Sequence, residues 1–306
     1  MSKLLCILGP TATGKTRTAA LAASELDGEI LSADSRQVYR FMDLGTGKDY
    51  DDYVVSGKRI PAHLIDIVDP PQRFSLFDYV KAFTKAWKEV IDRGSLPILC
   101  GGTGLYLEAV LAGYPLVEAV ENPELRSELS KLDMEDLRDR LISLTTPHNT
   151  TDLKDRERLV RAIEIATHAK NHPEDVLELP RFTPLIYGVA MDRSLLRTRI
   201  EKRLRERMEA GLLEEVQTLL DHHGLTLDDL HYYGLEYRYA GDHLAGRLNR
   251  NDMFQKLRGA IFKFAKRQET WFRRMEKKGG SIHWLDGANG PEANGPAIVS
   301  HWISTG

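Results

Sequence analysis

The sequence predicts an α/β fold: a parallel sheet flanked by helices, with a helical insertion and a helical C-terminal region. Three observations carry that reading. Short β-rich runs alternate with longer helical patterns, as parallel strands with covering helices require. An apolar run, Lys3–Leu8, leads directly into a glycine-rich turn and then a helix-forming stretch. The connection from Cys100 to Pro184 is too long for one crossover and holds charged helical patterns of its own.

In chain order, strands are expected at Lys3–Leu8, Glu29–Ala33, His63–Val68, Leu96–Cys100 and Pro184–Met191. Helices are expected at Thr16–Leu26 and Leu76–Asp92. Helical patterns at Pro123–Leu144 and Asp152–Lys170 form the insertion, placed at residues 119–183 within a core of 1–118 and 184–306. Ser194–Lys278 reads as helical, with breaks near Gly224 and Gly241. The tail after Asp286 is rich in Gly, Asn and Pro and reads as loop.

With 306 residues, 42% hydrophobic and 28% charged, the chain has the composition of an ordinary globule with one large core. A formal net charge of −3 excludes whole-molecule attraction to nucleic acid but leaves room for local basic faces. Cys6 and Cys100 are the only cysteines, and both lie in apolar runs. They read as buried thiols, too few for a metal site. No apolar run approaches a membrane span and no signal peptide is visible, so a cytoplasmic monomer without membrane contact is expected.

The segment Gly9-Pro10-Thr11-Ala12-Thr13-Gly14-Lys15-Thr16 fits G-x-x-x-x-G-K-[ST], the P-loop pattern, between a strand and a helix. The glycines let backbone N–H groups face inward, Lys15 adds a full charge, and the helix start adds its partial charge. The product is a socket for a diphosphate or triphosphate, with Thr16 placed to hold Mg²⁺. The expected sheet is therefore P-loop NTPase-like.

Ligands in open parallel sheets sit at the carboxyl ends of the strands. Two further segments meet that condition: Ala33-Asp34-Ser35-Arg36-Gln37 and Gly101-Gly102-Thr103-Gly104-Leu105-Tyr106. Asp34 either holds Mg²⁺ through water, accepts a proton from a nucleophile, or caps a helix starting at Ser35. Thr103 could offer its hydroxyl to a substrate.

Two late stretches are basic. Phe254–Lys278 carries nine Lys/Arg, and Arg193–Arg207 carries seven. Phe264, Gln268, Trp271 and Met275 repeat at helical spacing and read as a core stripe, with the basic face beside them available to phosphates. Arg158 and Arg161, three apart, share a helix face, with Leu159, Ile163 and Ala166 on another.

Together, GPTATGKT, ADSRQVY with MDLGTGK following, HLIDIVDP and GGTGLYL closely resemble the tRNA dimethylallyltransferases, or tRNA isopentenyltransferases. RERLVRAIE (Arg156–Glu164), RIEKRLRERMEAGLLEEV (Arg199–Val216) and KFAKRQETWFR (Lys263–Arg273) extend the resemblance over roughly Lys3–Lys278. The resemblance implies prenyl transfer from dimethylallyl diphosphate to the exocyclic amine of the adenosine 3′ of the anticodon, in tRNAs reading U-initial codons. It implies that residues 9–16 grip the donor's diphosphate with Mg²⁺ on Thr16, that Arg203 closes on it, and that Asp34 is the general base. It implies tRNA contacts by Asp34, Ser35, Arg36, Gln37, Thr103, Arg126 and Glu157, Arg158, Leu159, Val160 and Arg161, the partner surface being the anticodon stem-loop.

The chain departs from the family in two places. Where the family carries Gly-Tyr-Lys-Glu, this chain reads Tyr233-Gly234-Leu235-Glu236-Tyr237-Arg238, and no role is assigned there. Thr150-Thr151-Asp152-Leu153-Lys154-Asp155 lacks the proline turn often seen. Without Cys-x-x-Cys pairs for a zinc finger, the chain is of bacterial type. Two readings from other classes compete. A small-molecule P-loop kinase shares the phosphate socket but has no use for the late basic helices. A non-catalytic RNA-binding module leaves Lys15, Thr16 and Asp34 unexplained.

Overall fold

A computed structural model describes residues 2–145 and 152–305. The chain divides into two compact units, one formed by Met1–Ala112 with Pro180–Gly306 and the other by Gly113–Leu179. The first unit starts with β1 (Ser2–Leu8), α1 (Lys15–Leu26) and β2 (Gly28–Ala33). A small hairpin, β3 (Val54–Val55) and β4 (Lys58–Arg59), precedes β5 (Ala62–His63). Then come α2 (Leu76–Asp92), β6 (Leu96–Gly101) and α3 (Gly104–Ala112). The second unit is built on α4 (Pro123–Ser130), α5 (Met134–Leu144) and α6 (Arg156–Asn171). The first unit resumes with β7 (Phe182–Ala190), α7 (Arg193–Glu209), α8 (Leu212–His222), α9 (Leu230–Tyr233), α10 (Leu235–Leu244) and α11 (Arg250–Lys277). It closes with β8 (Ile282–Asp286) and α12 (Pro291–Ser304).

Six strands form one sheet in the order β5-β2-β6-β1-β7-β8, and every pairing is parallel. The three strands whose ends carry the sequence motifs, β2, β6 and β1, are neighbours. Their last residues are in register: Ala33 and Leu8 both pair with Gly101. The segments after them leave the sheet side by side.

Burial explains why these elements form. β1 is buried from Leu4 to Leu8, a continuous apolar run covered on both faces, and β2 is buried throughout with Glu29 and Ser32 among its apolar residues. α2 opens on a capping box between Ser75 and Asp78 and buries Tyr79, Phe83, Trp87 and Val90. A second core gathers Leu196, Ile200 and Leu204 of α7, Leu212, Val216 and Leu219 of α8, Tyr237 of α10, and Met253, Leu257 and Ile261 of α11. The other unit has its own core of Leu129, Leu137, Leu141, Leu159 and Ile163. Among the described residues no helix is long and apolar enough to cross a membrane.

Three expectations are corrected, and one of the alternatives weighed for Asp34 falls. Of the strand expected at His63–Val68, only Ala62–His63 pairs with β2, because Leu64 and Asp66 adopt positive φ and end the extended run. The tail expected as loop contains β8 on the sheet edge and α12. Pro291 occupies the first turn of α12, where a missing N–H costs nothing, while Asn294 and Ile298 are buried and Asn294 donates to the Asp286 carbonyl. Burial outweighs the composition there. Gly241 does not break a helix but lies within α10, where a Cβ would press on Leu230; the break follows at Ala245. No helix starts at Ser35; residues 35–38 form a turn. Thr150 and Thr151 lie outside the described residues.

Candidate active site

A cavity of about 1020 Å³ opens over the carboxyl ends of β1, β2 and β6. Its floor is the loop between β1 and α1. Gly14 sits at φ 85°, the left-handed region, so the chain can turn sharply into α1. The first N–H groups of α1 then open beside Lys15 and Thr16, which both line the cavity. The Thr13 hydroxyl and the Lys15 ammonium both donate to the Pro10 carbonyl, at 2.9 and 3.4 Å, curling the loop on itself. Burial pushes the Lys15 pKa down, partly offset by nearby Cys100 and Asp34.

Asp34 lies at the end of β2. Its Oδ1 accepts from the backbone N–H groups of Arg36 (2.9 Å) and Gln37 (3.4 Å), so it pins the turn. Its other oxygen carries no hydrogen bond among the described residues, and Asp34 lines the cavity. One oxygen of the carboxylate thus pins the turn and leaves the other unbonded. After β6, the Thr103 hydroxyl accepts from the Ser35 backbone N–H at 3.0 Å, locking this segment to the Asp34 turn. Arg36 donates to the Tyr232 carbonyl and lies over that ring, and Gln37 donates to the Gly47 carbonyl at 3.0 Å.

The helices between β7 and β8 supply another wall. Arg199, Arg203 and Arg207 of α7 recur every four residues and all face the cavity. Arg203 Nη2 is 2.6 Å from Asp49 Oδ2. From α11, Phe264, Arg267, Gln268 and Trp271 line the same space. The stripe expected to be core is therefore a site wall. Phe264 is 37% exposed, and Gln268 is buried for a polar purpose. Gln268 accepts from the Thr11 N–H at 3.0 Å and donates to the Gly102 carbonyl at 2.8 Å, clamping two loops together. Only Met275 of the four behaves as plain core. The buried face of α11 is Met253, Leu257, Ile261, Ala265, Gln268, Phe272 and Met275, so Phe264 and Trp271 each fall one residue off it.

Several residues here escape sequence reasoning. Asp52 lines the cavity without a side-chain partner among the described residues, and burial, then Asp49, pushes its pKa up. Glu236, inside the segment that departs from the family pattern, also lines it; burial raises its pKa against the pull of Arg207. Glu215 of α8 accepts from three consecutive backbone N–H groups, those of Asp43, Leu44 and Gly45, at 2.7–3.0 Å, and from the Tyr237 hydroxyl at 2.7 Å. Lys48 is buried and donates to the Tyr39 carbonyl at 2.6 Å, to Asp43 at 2.9 Å and to Asp66. Together they hold the loop that forms one rim. No local pattern flags such contacts; only the four-residue spacing of the α7 arginines could have pointed to Arg207.

In the Gly113–Leu179 unit, Arg126 makes a two-pronged ion pair with Glu164 at 2.8 and 2.9 Å. Arg161 reaches the same carboxylate at 3.2 Å and the Ala119 carbonyl at 2.6 Å. Burial tends to raise the Glu164 pKa, but these bonds prevail and bring it down to about 2. Glu157 and Arg158 are exposed on α6. Leu159 is not: it is fully buried among Leu129, Leu137 and Leu141, and Val160 packs against the same cluster. The expected RNA contact by Leu159 is corrected to a core role, since the helix turns that position inward.

The family model described as IPP transferase matches residues 37–275. This chain belongs to the IPP transferase family. It is 53% identical to tRNA dimethylallyltransferase 2 of Trichlorobacter lovleyi over 302 residues, covering 98% of this chain and 97% of the relative. It is 56% identical to tRNA dimethylallyltransferase 2 of Syntrophotalea carbinolica over 289 residues, covering 94% and 95%. The crystal structure of full-length tRNA isopentenylpyrophosphate transferase from Bacillus halodurans superposes with a TM-score of 0.69 at 30% identity, covering 98% of this chain and 96% of that one.

Proposed function

We propose that the protein transfers a dimethylallyl group from dimethylallyl diphosphate to the exocyclic amine of the adenosine 3′-adjacent to the anticodon, in tRNAs reading U-initial codons. The observation that carries this reading is one cavity joining the loop at Gly9–Thr16, the Asp34 carboxylate and the α7 arginines. The nearly full-length identity to tRNA dimethylallyltransferases supports prenyl transfer over a P-loop kinase.

In the proposed reaction the adenine nitrogen attacks C1 of the allyl group, the C1–O bond breaks, and diphosphate leaves. Lys15 and Arg203 neutralise the charge that grows on the leaving oxygen, as preorganised cations do most effectively in a site shielded from water. The unbonded oxygen of Asp34 orients the amine and takes its proton. Backbone bonds from Arg36 and Gln37 hold the carboxylate for that step. Phe264, exposed in the cavity, offers an apolar face to a base drawn out of its stack, at a cost of about a few kcal/mol.

The donor set suits Mg²⁺: Thr16 contributes a hydroxyl, and Asp52 and Asp34 are oxygen groups of the same cavity, all hard ligands. When bound, Mg²⁺ would add positive charge against the diphosphate, with Thr16 holding it and the carboxylates receiving its waters. Contacts with tRNA are proposed for Arg158 and Glu157, both exposed on α6, and for Arg126 and Arg161, which stay partly exposed while paired with Glu164. Incubation with Mg²⁺, dimethylallyl diphosphate and unmodified tRNA, followed by mass analysis of nucleosides, is the direct test. One C5 unit on the adenosine beside the anticodon is expected. Stronger thermal stabilisation by ATP than by dimethylallyl diphosphate, with no C5 gain, would return the reading to a kinase.

A further inference from the structure

We propose that Arg207 is a second phosphoryl-binding arginine of this cavity, set one helical turn beyond Arg203 to take an oxygen of a substrate phosphate. The inference rests on the prenyl-transfer reading and deepens it.

Arg207 is 14% exposed, yet its Nη2 is wholly buried and has no hydrogen-bond acceptor among the described residues. The carboxylate oxygen it pairs with, Asp49 Oδ2, stands 3.7 Å away, beyond hydrogen-bond reach, and already takes Arg203 Nη2 at 2.6 Å. Buried charges are ordinarily paired and bonded, because an unmet donor keeps its full desolvation penalty. Burial and the neighbouring Arg203 both work against the Arg207 charge. A phosphate in the cavity that Arg207 lines, bonded to another nitrogen of the same guanidinium, would offset that charge.

A second observation concerns Gly47, directly over the guanidinium. A Cβ there would fall 2.1 Å from Arg207 Nη2. Gly47 has φ 72°, and its N–H is held by the Asp43 and Leu44 carbonyls. A glycine thus leaves the space that the arginine uses. Arg207 is not needed to hold that loop: Glu215 binds three of its N–H groups and Lys48 ties its far end. Arg207 contributes no hydrogen bond to it. A wedge role would be filled by any long apolar side chain, at lower cost than a buried guanidinium.

The position completes a row. Arg199, Arg203 and Arg207 line one face of α7 toward the cavity that holds Lys15 and Thr16. A planar guanidinium fork suits two phosphate oxygens at once. The phosphate is either the donor diphosphate or a backbone phosphate of the tRNA beside the reacting adenosine; the binding chemistry is the same.

Arg207→Met keeps the length and packing of the stem and removes the charge, and Arg207→Lys keeps a charge without the fork. Melting temperature would be read with and without Mg²⁺ and inorganic pyrophosphate, and KM measured for each substrate. Arg207→Met is expected to melt at or above the parent temperature, since it relieves an unmet charge. It is expected to lose about ten- to a hundredfold in apparent affinity for one substrate, with partial recovery in Arg207→Lys. A reduced pyrophosphate shift with tRNA KM retained assigns the donor; the reverse assigns the tRNA phosphate. Unchanged response to both substrates, whether or not the melting temperature falls, overturns the inference and leaves Arg207 structural. A parent that shifts with pyrophosphate but transfers no prenyl group sinks the prenyl-transfer reading alone.

Discussion

At the residue scale, Asp34 pins its turn with one oxygen, and the proposed base role falls to the other. Asp34→Asn keeps an oxygen to accept from Arg36 and Gln37, so the turn should survive. Turnover should fall by about 10²–10⁴ while tRNA affinity holds; single-turnover kinetics beside a filter-binding titration would separate the two, and undiminished turnover would remove Asp34 as the base. Glu29 shows the opposite use of a carboxylate. Arg93 binds it at 2.7 and 2.9 Å and His63 at 2.6 Å, and chiefly the Arg93 bond holds its pKa down to about 2 from 4.5. A depressed carboxyl contributes stability above its unfolded value and loses it as pH falls through the folded one. Glu29→Gln should therefore lower the melting temperature at neutral pH, and the gap to the parent should close as pH drops from about 4.5 to about 2. A gap constant over that window would mean the ion pair contributes nothing. The sequence marks Asp34 because it follows a strand; nothing local marks Glu29, whose partner is 64 residues away.

At the element scale, helices showed their presence more clearly than their faces. α2 runs over Leu76–Asp92 as its periodicity predicts, because one amphipathic stripe and a capping box agree. On α11 two of the four predicted stripe residues, Gln268 and Met275, are on the buried face, while Phe264 and Trp271 lie one residue off it and face the cavity. A helix 28 residues long offers several apolar arcs, and only its neighbours choose among them. The resemblance places Leu159 of α6 against tRNA, yet it is core. Leu159→Ala should cost about 2–5 kcal/mol and unfold the Gly113–Leu179 unit first, weakening tRNA binding indirectly. Arg158→Ala should weaken binding with that unit intact. Limited proteolysis alongside a binding titration checks both; equal stability in the two variants would reject the distinction.

At the scale of the whole molecule, a net charge of −3 must coexist with a polyanionic substrate. Local basic faces resolve this, since screening confines each charge to roughly 10 Å at 0.1 M salt. Apparent tRNA affinity should fall linearly with log salt, and Arg267→Ala should lower the slope by about one. A slope unchanged in that variant would remove the α11 face from the interface. The sequence by itself determined the class of fold and the place of the chemistry. Glycine spacing, strand-end position and apolar periodicity are local, and a parallel sheet gathers the ends of adjacent strands at one edge whatever else the chain does. Only the tertiary structure decided how the motif residues share their bonds, which helix face meets the cavity, and that a Gly- and Pro-rich tail becomes β8 and α12. It also brought Gln268, Glu215, Asp52 and Arg207 to the site. Those roles depend on groups far apart in the chain, and burial, which sets the cost of an unmet charge or donor, exists only once the chain has packed.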